Sequence, residues 1–226
     1  MAPQSTPVSS AASTAASTAA NSGLTGLDLT RYRALVFDLD GTLIDSMPYH
    51  IRAWQQVALE HEGFVVEPQF IYERGGFSSP NIVRDLIKAG CKVPSIDAFV
   101  KRKVELYRAH MAEVPVFDQV LTILKEARSR GAKIGIGTGT QRINAVDILK
   151  QHGLSELIDV IVSGDDITRH KPEPDTFLKA LELVQVAPED ALIVEDGLPG
   201  IQAAAAGHID CLIVDRGNLV RFVPGR

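Results

Sequence analysis

Five short apolar runs, separated by segments of helical period, constrain what this chain can fold into. They are Ala34–Phe37, Ile134–Ile136, Val160–Val162, Ala191–Val194 and Leu212–Val214. Each is apolar at nearly every position, as a strand covered on both faces must be. Between them, residues 118–129 put Leu121, Leu124 and Ala127 on one helical face and stop before Gly131. Thr140 is positioned to cap a further helix, with Ile143, Val146 and Leu149 on one face and an end at Gly153. Strands alternating with helices predict an α/β fold around a parallel sheet.

The alternation breaks once. Residues 47–114 carry helical signals and no run of the strand kind. Trp54, Val57 and Ala58 share a face. Ser79-Pro80 reads as N-cap and first helical residue before Ile82, Val83, Leu86 and Ile87. Ser95 opens another helix, bearing Phe99, Val100, Val104 and Tyr107. An insertion after the first strand sits where parallel sheets build their sites, so it reads as a lid. Residues 1–30 are expected to form a disordered tail, because residues 1–21 are almost all Ala, Ser, Thr and Pro, uncharged and with little to pack. Targeting is disfavoured: the first basic residue is Arg31.

Composition narrows the class. The 45% of apolar residues suits a buried core, and a net charge of −5 argues against nucleic acid as partner. Cys91 and Cys211 offer neither a disulfide framework nor a zinc spacing. No apolar run reaches the roughly 20 residues of a membrane helix.

The chemistry gathers at strand ends. The first strand runs into Asp38-Leu39-Asp40-Gly41-Thr42, and alternation along an extended chain would point Asp38 and Asp40 the same way. Paired carboxylates persist where a cation sits between them or one keeps a proton. The fourth run leads into Glu195-Asp196-Gly197. If these strands are neighbours, three or four carboxylates with no histidine cluster suit a hard cation, Mg²⁺ above others; a solvated acidic loop is the plainer alternative. The second run ends at Gly137-Thr138-Gly139-Thr140, where a hydroxyl and free N–H groups ahead of a helix could bind an anion. Lys171 lies in His170-Lys171-Pro172-Glu173-Pro174-Asp175, whose prolines fix the backbone. Near clustered acids it would hold a phosphoryl group; in isolation it reads as a surface lysine.

In order, Asp38-Leu39-Asp40-Gly41-Thr42, Thr138, Lys171 and Glu195-Asp196 resemble the four motifs of the haloacid dehalogenase superfamily, over residues 33–214. Pro48-Tyr49-His50-Ile51-Arg52-Ala53-Trp54, the stretch from His170 to Phe177 and Gly200-Ile201-Gln202-Ala203-Ala204 are similar to its β-phosphoglucomutase-like group, and several of them, with Gly137–Thr140, to the fructose-1-phosphate phosphatase-like branch. The resemblance implies a Rossmann-like parallel-sheet core at residues 31–46 and 115–226 with a helical cap domain inserted at 47–114. It implies that Asp38 attacks phosphorus, forming an aspartyl phosphate, and that Asp40 is the general acid and base. Mg²⁺ would be held by Asp38, the Asp40 carbonyl and Asp196, with Glu195 in support. Thr138, Gly139 and Lys171 would bind the phosphoryl oxygens. The enzyme so implied is a cytoplasmic, monomeric phosphatase of small sugar phosphates, with no membrane partner.

The departures bear on substrate. Ser79 stands where the mutase grips a second phosphate with arginine, and Gln141, followed by Arg142, stands where the mutase has lysine. Lys103 could keep one cap contact, although a basic run on a helix more often faces solvent, and His50 could assist proton transfer or touch substrate. Gly207 comes one position early, which leaves His208 to take the helix-ending backbone conformation at some strain. A sugar phosphomutase is the first rival. A haloalkanoate dehalogenase would not need Asp40 and Asp196, and a ligand-binding regulatory module would not need both first-motif acids.

Overall fold

The structure is a computed structural model that describes residues 28–75 and 77–225. The expected tail therefore lies outside the described residues except at 28–30, where Leu29–Arg31 forms one 3-10 turn with Asp28 accepting from the Thr30 N–H (2.8 Å). Gly76 is likewise outside them.

After β1 (Ala34–Phe37) come four helices, α1 (Met47–Leu59), α2 (Pro68–Tyr72), α3 (Ser79–Lys88) and α4 (Ile96–Arg108). The chain continues through α5 (Asp118–Ser129), β2 (Lys133–Gly137), α6 (Arg142–Gln151), β3 (Val160–Val162), α7 (Asp175–Val184), β4 (Ala191–Glu195), α8 (Leu198–Ala206), β5 (Asp210–Asp215) and β6 (Asn218–Val223). The sheet order is β3-β2-β1-β4-β5-β6, with the first five strands parallel and β6 antiparallel at the edge. The α/β fold expected from the alternation is thus the fold observed, and β4 neighbours β1.

Alternation along the strands divides the core. Leu35 and Phe37 join Ile134, Ile136, Leu192 and Val194 beneath α5 and α6. Ala34 and Val36 face the other way, with Ile193 and Ile213, against Phe177, Ala180 and Ala203 of α7 and α8. Both faces are covered, which is why the strands are apolar throughout. Helices α1–α4 enclose an apolar cluster of their own, built on Ile51, Trp54, Val57, Ile82, Leu86 and Phe99. Their two connections to the sheet run side by side: Asp45 N–H donates to the Pro115 carbonyl (2.8 Å) and Phe117 N–H to that of Leu43 (3.0 Å).

Three local expectations need correction. Gln141, not Thr140, is the N-cap of α6, and its buried apolar face is Ala145, Ile148 and Leu149, whereas Ile143 is 61% exposed and Val146 39%. The Thr140 hydroxyl is engaged elsewhere, and packing against the sheet takes Ala145 and Ile148 with Leu149. Helix α3 has Ser78 as N-cap, with Ser79 and Pro80 its first two residues, and Ile87 is exposed, not buried. Strand β6 is an unexpected sixth strand, joined by a turn in which Arg216 and Gly217 both have positive φ (47° and 76°), the hairpin geometry that matches strand twist.

His208 does carry the left-handed conformation, with φ 55°, while Gly207 has φ −84°. Replacing His208 by glycine is expected to raise unfolding stability by about 1 kcal/mol, the cost of this conformation for a side-chain-bearing residue. A urea titration checks it; an unchanged or lower midpoint contradicts it.

Candidate active site

The carboxyl edge of the sheet gathers the acids. Asp38 follows β1 directly, and its N–H donates to the Val194 carbonyl (2.9 Å), which fixes it beside the end of β4. Asp38, Glu195 and Asp196 each present a carboxylate oxygen, all within 4.8 Å of one another. One cation stands against them. Lys171 Nζ donates to Asp38 Oδ1 (2.6 Å) and Glu195 Oε2 (2.7 Å) and lies 4.5 Å from the centre of the Phe177 ring. It is not the surface lysine that its setting suggests in isolation: its side chain is 7% exposed.

Glu195 is fully occupied. Its Oε1 accepts the N–H groups of Asp196 (3.1 Å) and Gly197 (2.9 Å), and its Oε2 holds Lys171. Room for that carboxylate is made by Gly200, where any Cβ would collide with it. Asp196 is oriented by the Thr42 hydroxyl (2.5 Å). Gly41, at φ 93°, allows the turn after Asp40 and the approach of Asp196, whose carboxylate a Cβ would strike.

One lysine does not balance three acids. Burial, then the charge of Glu195, push the Asp196 carboxyl up to about 7. The same causes hold Asp38 well above the ordinary carboxylate range despite Lys171. Burial disfavours the charge on Lys171, and Asp38 and Glu195 more than offset it, so its pKa is raised.

Leu39 still packs on the same face as Leu35 and Phe37, and Asp40 forms an isolated bridge with Ile44. The Asp40 carboxylate is not one of the three grouped acids. Its Oδ1 accepts from Ser46 Oγ (2.6 Å) and lies 3.2 Å from His50 Nε2, and its Oδ2 accepts from Thr140 Oγ1 (2.6 Å). Burial works against the charge, but these bonds and His50 outweigh it and keep the carboxyl below its usual range. His50 Nδ1 lies 2.7 Å from Lys103 Nζ. An ammonium can only donate, so Nδ1 accepts and Nε2 carries the hydrogen toward Asp40. His50 stacks on Tyr107 (4.0 Å between centroids), and Lys103 lies 5.2 Å from the Trp54 and Tyr107 ring centres. Lys103 is buried, not on a solvated face, and burial brings its pKa down to about 8.

The anion-binding loop is braced. Thr138 is buried, its N–H donates to the Val162 carbonyl (2.9 Å), and its hydroxyl accepts the Thr140 N–H (3.0 Å). Gly139 is exposed. Arg142 points away, bound to Asp166 and the Ile161 carbonyl. Ser79 makes no hydrogen bond to the cluster among the described residues. Thr42, Ser46, Thr140 and Gly200 act in this site without having been singled out for it from the sequence. Thr42, Thr140 and Gly200 lie in the motif stretches that carry the resemblance, which was the available signal; Ser46 lies between the first motif and α1 and had none.

Comparison with known proteins bears on this arrangement. Residues 35–214 match the family model of the haloacid dehalogenase-like hydrolases. The chain is 31% identical over 184 residues to the fructose-1-phosphate phosphatase YqaB of Escherichia coli, covering 81% of this chain and 97% of that protein. It is 29% identical over 181 residues to a phosphorylated carbohydrates phosphatase of Thermotoga maritima, covering 78% and 82%. Among solved structures, CbbY from Rhodobacter sphaeroides in complex with phosphate superposes with TM-score 0.73 at 25% identity, covering 81% of this chain and 86% of that one. The β-phosphoglucomutase of Clostridium difficile superposes with TM-score 0.74 at 23% identity, covering 83% and 92%, a likeness of fold alone.

Proposed function

This chain belongs to the haloacid dehalogenase-like hydrolases, and from that membership we propose that it is a Mg²⁺-dependent phosphatase of small sugar phosphates, working through an aspartyl phosphate on Asp38. The observation that carries the reading is a buried Asp38 held by Lys171 within a carboxylate cluster, with a second acid, Asp40, kept separate on its own donors. The phosphatase names of its sequence relatives support the substrate class.

The donor set fits magnesium. It is all oxygen, and the raised Asp38 and Asp196 carboxyls are those of a cluster short of positive charge. Asp38, the Asp40 carbonyl and Asp196 would hold the ion, and Glu195 would act through Lys171. When bound, the ion neutralises phosphoryl charge that the acids would otherwise repel. Lys171, the Thr138 hydroxyl and the Gly139 N–H hold the phosphoryl oxygens. Asp38 attacks phosphorus in line, and the P–O bond to the sugar breaks. Asp40 is charged in the free chain; it takes up a proton as the anionic phosphate enters beside it, gives that proton to the leaving oxygen, then takes one from the water that hydrolyses the aspartyl phosphate. Residues 47–114 form a cap domain on a core of 31–46 and 115–226, and bring His50, Lys103 and Ser79 toward substrate; closure excludes water. A mutase is not favoured, because Ser79 and the tethered Arg142 leave no second phosphate grip at those positions. A monomeric, cytoplasmic enzyme is part of this reading; among the described residues no helix is long and apolar enough to cross a membrane.

Phosphate release from a panel of sugar monophosphates, with and without Mg²⁺, tests it. Metal-dependent release supports the proposal, whereas isomerised sugar phosphate without net release moves it to a mutase.

The metal site also implies a pH dependence. Asp196 keeps its proton up to about 7 in the folded, metal-free chain, against 3.8 when unperturbed. Across that window the native state binds more protons than the unfolded one, so metal-free stability falls as pH rises. Binding Mg²⁺ must displace those protons, so affinity rises with pH. Apparent Mg²⁺ affinity is expected to weaken about tenfold per unit or more below pH ~7, since Asp38 as well as Asp196 gives up a proton. Calorimetric titration checks this; an affinity flat between pH ~5.5 and ~8 contradicts it.

A further inference from the structure

Thr140 has no part in the roles above, and the helix cap it could have provided comes from Gln141. Its hydroxyl donates instead to Asp40 Oδ2 (2.6 Å), joining the loop after β2 to the loop after β1. The other two partners of Asp40, Ser46 and His50, both lie on Oδ1. Among the described residues, Thr140 therefore holds an oxygen that no other residue holds, and with it the rotation of the carboxylate about its last bond.

The threonine is itself firmly placed. Its N–H donates to Thr138 Oγ1 (3.0 Å) and its carbonyl accepts from the Gly164 N–H (3.0 Å). Gly164 closes on the Gly139 carbonyl so tightly that a Cβ there would strike backbone. The phosphate-binding loop is thus backed by the turn after β3, and Thr140 carries that fixed position to Asp40.

We propose that Thr140 is a positioning residue, whose hydroxyl aims the Asp40 carboxyl group at the leaving-group oxygen and so links the phosphate-binding loop to the acid–base residue. The proposal rests on the reading of Asp40 as that residue. It differs from two plainer roles, in which the hydroxyl only grips phosphate or only supports the loop.

Leaving-group chemistry separates them. A sugar alkoxide needs a proton as it departs, whereas 4-nitrophenolate does not. Thr140→Val removes the hydroxyl at nearly constant shape. It is expected to lower kcat for a sugar monophosphate about tenfold, the effect of losing one hydrogen bond to a charged group, with KM within about twofold. The burst of nitrophenolate from 4-nitrophenyl phosphate should stay within about twofold of wild type, because no proton is needed in that step. Thr140→Ser should restore sugar phosphate turnover, and Thr140→Ala repeats the comparison if the valine variant does not fold. Equal losses on both substrates, a raised KM at unchanged kcat, or no rescue by serine overturns the proposal alone. No turnover of either substrate by the wild-type chain overturns the phosphatase reading and this proposal with it.

Discussion

Asp38→Asn is expected to lower phosphate release by about 10⁴-fold or more in a protein that still folds. The amide matches the carboxylate in shape, so the buried position after β1 tolerates it. It cannot form an acyl phosphate by attack of an anionic oxygen. The stability consequence has a definite sign. Asp38 shares its pocket with Glu195 and Asp196, whose charges raise its carboxyl. Removing one acid relieves that repulsion while Lys171 keeps Glu195. Metal-free Asp38→Asn should therefore melt no lower than metal-free wild type, and should gain less on addition of Mg²⁺. Melting with and without Mg²⁺, beside phosphate release, checks both parts. Retained turnover removes Asp38 as nucleophile; a sharp loss of metal-free stability contradicts the account of the cluster.

Gly200→Ala should be nearly as damaging, although the residue carries no chemistry. Glycine to alanine inside a helix ordinarily stabilises by about 0.5–1 kcal/mol. At Gly200, in the first turn of α8, the sign reverses, because the added Cβ would overlap the Glu195 carboxyl group. Glu195 has nowhere cheap to go: it is 3% exposed, and both oxygens are committed to two backbone N–H groups and Lys171. Displacing it strands a buried lysine with one acid fewer. The expected cost is about 2–4 kcal/mol of stability, and about 100-fold or more in kcat as Lys171 loses its position. Denaturant titration and turnover, measured where the variant is folded, check this. Wild-type activity in the alanine variant contradicts the claim that Glu195 works by fixing Lys171.

How much of this was readable beforehand follows from which forces act locally. The five parallel strands were legible because burial on both faces leaves an unbroken apolar run, as in Ala34–Phe37. The acids at the ends of β1 and β4 were legible for the same reason, since charge directly after such a run marks the sheet edge. His208 was legible because Gly207 comes one position earlier than the helix-ending glycine of the family it resembles. The separate setting of Asp40 was not, because tertiary donors from the start of α1 and from the β2 loop decide it. The inward face of α6 was misread because the exposed Ile143 and Val146 fall at helical spacing with Leu149 and imitate a buried stripe. Lys103 looked like part of a solvated basic run; only packing among His50, Trp54 and Tyr107 buries it. Strand β6 escaped because an edge strand with Val220 exposed has no buried run, and its signal was the Arg216-Gly217 turn.

The central claim, covalent catalysis through Asp38, is tested most directly by rapid-quench mass spectrometry. The Mg²⁺-loaded chain would be mixed with a sugar monophosphate that it turns over, quenched in acid within one turnover, digested and mapped. The account predicts a transient gain of one phosphoryl group on the peptide containing Asp38, absent in Asp38→Asn. Turnover with no such adduct on wild type, or an adduct at another residue, would contradict it.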